Sequence, residues 1–332
     1  MWCKWPALLH GHDHQSKQNY PCSMVPSMPQ RLNWAQDGIN WPHRQHSRFV
    51  HAACLQWHVQ QFGSSSSFAP SALLIHGTGA STHSWRGLIP LLVPHFTILN
   101  IDLPGHAFTD MPAGGTASPQ LSLPGMAAAL GELLQSLSIR PALVIGHSAG
   151  AAVGARMCLD GLIAPQRLIS INGALVAMGG LAGQVFSPVA KLMCALPFVP
   201  QFFSWQATSP AVLQKLIAST GSRLDAEGMA LYGQLVANPG HAAGALGMMA
   251  NWDLPQLEKD LPQLATPLSL IVGSNDQTVS PRQAVRLRAL WPATAAPQPS
   301  LSTLDGLGHL AHEERPDTVA SIVLEQFTAE AG

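Results

Sequence analysis

The stretch LVIGHSAGAAVGARM, Leu143–Met157, constrains the fold more than any other part of the chain. A short apolar run, of the kind that forms a strand buried on both faces, gives way to an Ala-rich segment of helical character. Between them stands Gly146-His147-Ser148-Ala149-Gly150. G-x-S-x-G at a strand-to-helix junction makes a turn so sharp that it needs glycine on either side, and it lifts the serine hydroxyl clear of the sheet. The helix that follows turns its first N–H groups towards the same place, which suits a developing oxyanion. Taken alone, five such residues read equally well as a tight Gly/Ser turn. The strand before and the helix after favour the chemical reading.

Strand and helix alternate through the rest of the chain. Cys54–Phe62, Ser71–Gly77, Phe96–Gly105, Pro141–His147, Gln166–Gly173, Thr266–Asp276 and Ser300–His309 read as strands. Helical patterns occupy Pro124–Leu137, Ala149–Gly161, the region near Pro281–Leu290, and Pro316–Glu330. Such alternation predicts an α/β fold: a mostly parallel, twisted sheet with helices on both faces. Residues 177–253 break the pattern with helical segments and no convincing strand, and read as an all-helical cap inserted between the two halves of the core, 31–176 and 254–332. Residues 1–30 are polar, contain proline and lack period. They read as a disordered tail, with Met24 and Met28 as candidate starts and His10, His12 and His14 solvated.

Composition narrows the function. Charged residues make up 11% of 332 and the net charge is -1, so no global field favours nucleic acid or an anionic membrane. Cys3, Cys22, Cys54, Cys158 and Cys194 are scattered and form no C-x-x-C, which predicts reduced thiols of a cytoplasmic protein and no metal site. No run approaches the roughly 18 apolar residues of a membrane span.

A serine hydroxyl needs a general base, and the base an orienting acid. With a G-x-S-x-G elbow the chain order is serine, acid, histidine. Asp276 follows one strand in IVGSNDQTVSP and His309 follows the last in GLGHLAHEE. Both are strand C-terminal ends, where open α/β sheets gather their ligand-binding groups. Ser148, Asp276 and His309 are therefore the candidate catalytic residues. His312, three residues on, competes as the base and reads as structural. The oxyanion donors expected are the N–H groups of Ala149 and of Thr78 in HGTG, His76–Gly79, with His76 packed beneath that loop. In the cap, Phe198, Phe202, Phe203 and Trp205 are candidate pocket residues beside Met178, Met248 and Met249; most cap apolar side chains must also form its own core.

LLIHGTGASTHSW, IDLPGHAFTD, IGHSAG, GSNDQTVSP and GLGHLAHEE occur in that order. From about Phe49 to the end the chain thus resembles the α/β-hydrolase superfamily. Ala107 stands where many members carry glycine, away from the triad. The haloalkane dehalogenases and epoxide hydrolases of that superfamily use aspartate at the elbow, and Ser148 argues against both. More narrowly, RLNWAQDGINWPHRQHSRFV, HGTGASTHSW and INGALVAMGGLAGQVFSPVAKLMCALPFVPQFF make residues 31 to about 330 similar to the magnesium-chelatase accessory proteins of bacteriochlorophyll biosynthesis. That resemblance implies a phototrophic bacterium, a link to Mg2+ insertion into protoporphyrin IX, and magnesium-chelatase subunits as partners. It implies no cofactor and names no substrate.

Three functions follow as expectations. One is a serine hydrolase of an ester or related acyl bond on a small-molecule substrate in tetrapyrrole synthesis. The second is a binding accessory whose cap holds a porphyrin or contacts the chelatase while the triad stays idle. The third is a general small-ester hydrolase. The location expected is cytoplasmic, with adhesion to membranes through the apolar cap.

Overall fold

The apolar runs read from the sequence lie side by side in one sheet. The computed structural model describes residues 31–63, 69–177, 201, 204–205, 209–292 and 298–328. Its strands are β1 (Ser47–Ala52), β2 (Leu55–Phe62), β3 (Ser71–Ile75), β4 (Thr97–Ile101), β5 (Leu143–His147), β6 (Arg167–Ile171), β7 (Leu268–Gly273) and β8 (Ser300–Leu304). They form an eight-stranded sheet in the order β1-β2-β4-β3-β5-β6-β7-β8. β3 to β8 pair in parallel, and β1 and β2 run antiparallel at one edge.

Both faces of β3 to β7 are covered, so these strands read as near-continuous apolar runs, while β8 at the edge stays partly exposed. Leu73 and Ile75 of β3 share a core with Met126 and Leu130 of the helix Leu123–Ser136 and Ala152 of the helix Ala149–Leu159. Ala72 and Leu74 face the other way, onto Trp85, Leu92, Val319 and Val323. The last two belong to the helix Pro316–Thr328. After β3 the chain passes to β4 on one side, then returns to β5 on the other. Loops leaving β3 and β5 therefore diverge and open a crevice at the C-terminal ends of the strands.

Two features differ from expectation. β1 was not foreseen. It is joined to β2 by a two-residue turn in which Ala53 (φ 51) and Cys54 (φ 59) are both left-handed. Such a turn usually carries Asn-Gly. The alternation of apolar and polar residues in Cys54–Phe62 predicts one open face for β2, yet His58 and Gln60 are buried because residues 31–46 cover that face. The Trp34 ring lies 4.8 Å from that of His58, and Gln60 Nε2 donates to the Pro42 carbonyl at 2.6 Å.

Between β6 and β7 the chain leaves the sheet. The described residues there carry the helices Pro210–Ala218, Ala226–Val236, Pro239–Ala250 and Leu254–Asp260, and no strand.

Candidate active site

Ser148 sits between β5 and the helix Ala149–Leu159 with φ 51 and ψ -118. That conformation costs on the order of 1–3 kcal/mol and persists only where its surroundings impose it. Here the Ser148 N–H donates to the Ile171 carbonyl at 3.0 Å, and the Ser148 carbonyl accepts from Ala174 N–H at 3.0 Å. The flanking glycines are required by space. A Cβ on Gly146 would stand 2.4 Å from the Ala151 nitrogen, and one on Gly150 only 2.1 Å from the Ile75 oxygen. The elbow is thus wedged against β3, with a helix N-terminus beneath the serine.

His309 and Asp276 meet as the sequence order predicts. His309 Nδ1 bonds Asp276 Oδ2 at 2.8 Å, and both side chains are buried. Asp276 Oδ1 accepts from Thr278 N–H at 2.8 Å and Val279 N–H at 2.9 Å. A carboxylate so held accepts from Nδ1–H, which leaves Nε2 of His309 as the proton acceptor.

Three side groups that the sequence did not single out fix this arrangement. Asn172, at the end of β6, donates through Nδ2 to the carbonyls of Gly308 at 2.9 Å and His309 at 2.8 Å. Its Oδ1 accepts from Gly273 N–H at 2.8 Å, so one amide brackets the loops of both acid and base. His147 Nε2 donates to the same His309 carbonyl at 2.9 Å. The Thr220 carbonyl, from the segment between β6 and β7, accepts from His309 N–H at 3.1 Å and Gln277 N–H at 3.3 Å. A polar residue immediately after a buried strand was the available signal for Asn172. Nothing local marked Thr220.

The expected oxyanion loop lies against the serine. A Cβ on Gly77 would come within 2.9 Å of both Ser148 Cβ and His147 Nδ1. Thr78 follows, its Oγ1 donating to Met248 Sδ at 3.3 Å. Ala149 opens the helix after Ser148. His76 is buried below the loop; its Nδ1 bonds the Gly77 carbonyl at 2.7 Å and its Nε2 accepts from Leu103 N–H at 2.9 Å. His312 is fully buried, its ring 4.4 Å from that of His147 and 4.6 Å from Trp85. Burial, then the neighbouring His309 and Arg86, pushes its pKa down to about 3. A ring so placed is packing, and His309 is the base candidate. Deeper still, Asp102 accepts from Thr82 N–H at 2.7 Å and bonds His58 Nδ1 at 2.6 Å. Burial opposes its charge, but His58, His76 and the Thr82 N–H outweigh that and hold its pKa near about 2.

Of the pocket candidates, Phe198, Phe202, Phe203 and Met178 lie outside the described residues. Trp205 is exposed, Met248 is fully buried, and Met249 is partly buried. Among the described residues no group of three or more His, Cys, Asp or Glu is arranged to hold a metal, and no helix is long and apolar enough to cross a membrane.

Known proteins place this geometry in context. Residues 72–322 match the alpha/beta hydrolase family. The magnesium-chelatase 30 kDa subunit of Rhodobacter capsulatus is 36% identical over 286 residues, covering 86% of this chain and 96% of that one. Among solved structures, the epoxide hydrolase CorEH superposes with a TM-score of 0.68 at 20% identity, covering 86% of this chain and 99% of that one. The enol-lactonase of Burkholderia xenovorans LB400 gives 0.66 at 18%, over 85% and 100%. At such identity the two structures speak for the fold alone. Fold, sequence and strand-end geometry agree: the chain belongs to the alpha/beta hydrolase family.

Proposed function

We propose that this chain is a serine hydrolase that cleaves an ester or related acyl bond as an accessory to magnesium insertion in bacteriochlorophyll synthesis. The observation that carries the chemistry is the buried His309–Asp276 pair at strand ends, tied through the His309 carbonyl to His147, whose neighbour Ser148 is held at positive φ. Ser148 Oγ attacks the acyl carbon while His309 Nε2 takes its proton. The oxyanion is received by the N–H groups of Ala149 and Thr78. Collapse expels the alcohol, which carries away the proton from His309. Water, deprotonated by the same imidazole, then releases the acid and restores Ser148.

The 36% identity to a magnesium-chelatase subunit over nearly its whole length supports the pathway and a chelatase subunit as partner. Residues 177–253 form the cap in this reading. The apolar character of its sequence, Phe198, Phe202, Phe203 and Trp205 among it, suits a tetrapyrrole substrate and adhesion of a cytoplasmic protein to a membrane. The relative's name, a subunit and not a hydrolase, also favours a second reading in which the cap binds porphyrin or chelatase and the triad is idle.

Complementation separates the two. A deletion strain restored with wild type or with Ser148→Ala is assayed for bacteriochlorophyll. Loss of pigment with Ser148→Ala at equal protein level supports hydrolysis. Full pigment with Ser148→Ala supports the binding accessory and overturns the hydrolase role.

A further inference from the structure

The helix Pro239–Ala250 belongs to the segment between β6 and β7, yet its polar contacts reach the loops around the serine. His241 is buried in its first turn. Its Nδ1 accepts from Ala107 N–H at 3.0 Å, and its Nε2 bonds the Gly79 carbonyl at 3.0 Å. A backbone N–H only donates and a carbonyl only accepts, so these partners fix the neutral tautomer with the proton on Nε2. Neither partner sits in regular structure: Gly79 has φ +74 and Ala107 φ 42. A Cβ on Gly79 would meet nothing within 4 Å, so that side of the loop is open.

Two further contacts hold the helix in register. Met248 Sδ accepts the Thr78 hydroxyl, one residue before Gly79. Gly244 packs backbone to backbone on Gly105; a Cβ there would stand 1.9 Å from the Gly105 oxygen. The helix therefore cannot slide or lift without releasing the loop at Gly79.

We propose that His241 is a positioning residue of the oxyanion pocket, acting from the insertion through the Gly79 carbonyl to hold the Thr78 N–H in aim. This rests on the serine-hydrolase reading above. The loop is fixed at one end by Gly77 against Ser148 and at the other by His241, with Thr78 between. Without the second anchor the loop is left to the Ala80 N–H bond on the Gly77 carbonyl, 3.1 Å, and the Thr78–Met248 contact, so its peptides gain play, and a donor off its line loses most of its worth. Burial pushes His241 down to about 4, so the ring is neutral and its Nδ1 lone pair is available at neutral pH. The insertion is then a component of the catalytic site and not a removable lid.

Three variants test it in the full-length protein, with p-nitrophenyl butyrate as substrate and a fluorophosphonate to titrate active sites. His241→Phe removes both bonds. His241→Gln places an amide donor where Nε2 was. His241→Asn serves Ala107 but cannot reach Gly79. The expected result is a kcat per titrated site lowered about 10- to 100-fold in Phe and Asn, with KM within about twofold of wild type, and mostly restored in Gln. Should the Phe variant fail to fold, the Asn and Gln pair decides. Equal kcat per titrated site in Asn, Gln and wild type would make the role purely structural and overturn the proposal. If wild type itself takes no label, the hydrolase reading falls and this assignment with it. Labelled wild type with unimpaired Asn overturns this assignment alone.

Discussion

The strand ends and the inserted helices both furnish the candidate site, and they do so by different physics. Ser148, Asp276 and His309 stand where parallel strands stop, so their places follow from ladder register and from glycine-only approaches that a sequence displays. The insertion docks through small apolar clusters, Leu231 and Leu235 on Trp41 and Phe108, and Leu213 and Ile217 on Ala80 and Leu310, and through single polar contacts set around them. His241 bridges two loops, the Thr220 carbonyl holds two more, and Arg86 ties Asp225 at the head of the helix Ala226–Val236 to buried Glu313. Tyr232 of that helix adds its hydroxyl to Glu313 at 2.8 Å. Docking of this kind is specific, and it is sensitive to one atom and to protons. Changes to Ser148, Asp276 and His309 should therefore destroy chemistry and spare stability, whereas changes in the insertion should do the reverse, His241 excepted.

The largest contrast is expected at the base and its acid. His309→Ala should lower ester hydrolysis by about a million-fold, and Asp276→Asn by about ten-thousand-fold, because triad members act as a unit. Thermal melting should barely move. A His309→Ala variant that keeps a tenth of wild-type kcat would break the strand-end half of the comparison.

Acid should weaken both parts, through His241 in the insertion and five buried histidines in the core and its loops. Burial lowers the pKa of His76, His83, His106, His147, His241 and His312, so each is neutral in the fold. A depressed folded pKa means stability that is complete above the unfolded value of 6.5 and is lost as pH falls towards the folded one. For His241, lowered to about 4, that loss is about 3 kcal/mol across the window. Glu313 acts with opposite sign. Burial raises it to about 7 against the pull of Tyr232 and Arg86, so it favours the fold as pH falls from 7 towards 4.5. Six histidines outweigh one glutamate. The urea midpoint is expected to drop steeply between pH 6.5 and 4, and a flat profile would contradict the neutral buried histidines.

Asn172 sharpens the comparison, since it joins the strand-end loops by a side chain. Asn172→Ala leaves Gly273 N–H and the Gly308 carbonyl without their partner and should cost about 2–3 kcal/mol in urea unfolding. The residue sits at φ 46, so Asn172→Gly should recover about 1 kcal/mol of that loss without restoring the bonds. Equal stability of the two variants would show that the backbone is not strained there. The smallest effect is expected from Tyr232→Phe, about 1 kcal/mol of stability with unchanged kcat; a fall in kcat would mean that the helix Ala226–Val236 also reaches the chemistry.

How far the sequence carried follows the same division. β3, β4, β5, β6 and β7 were legible as apolar runs because both their faces are covered, whereas β8, SLSTL at the sheet edge, was legible only from its place before GLGH. Ser148, Asp276 and His309 were legible because each stands just past a strand so read. β1 was missed because its turn uses Ala53 and Cys54 at positive φ, a task that sequence signals assign to Asn-Gly. Ala107 hides a left-handed position in the same way: alanine stands at φ 42 where the superfamily commonly carries glycine. His241 and Thr220 were invisible for another reason. Their partners are backbone atoms more than 50 residues away, and no local pattern encodes such a contact.

The most direct test of an activated Ser148 is covalent labelling by a fluorophosphonate, read by intact mass and peptide mapping. The reagent takes on the tetrahedral geometry of the acyl-transfer intermediate, and so it needs the nucleophile, the base and the oxyanion donors at once. One adduct per chain is expected, at Ser148 alone, with none in Ser148→Ala and a rate in His309→Ala lower by several orders of magnitude. Rapid labelling that survives Ser148→Ala, or folded wild type that takes up no label, would contradict an activated serine and leave the chain as a binding accessory on a hydrolase fold.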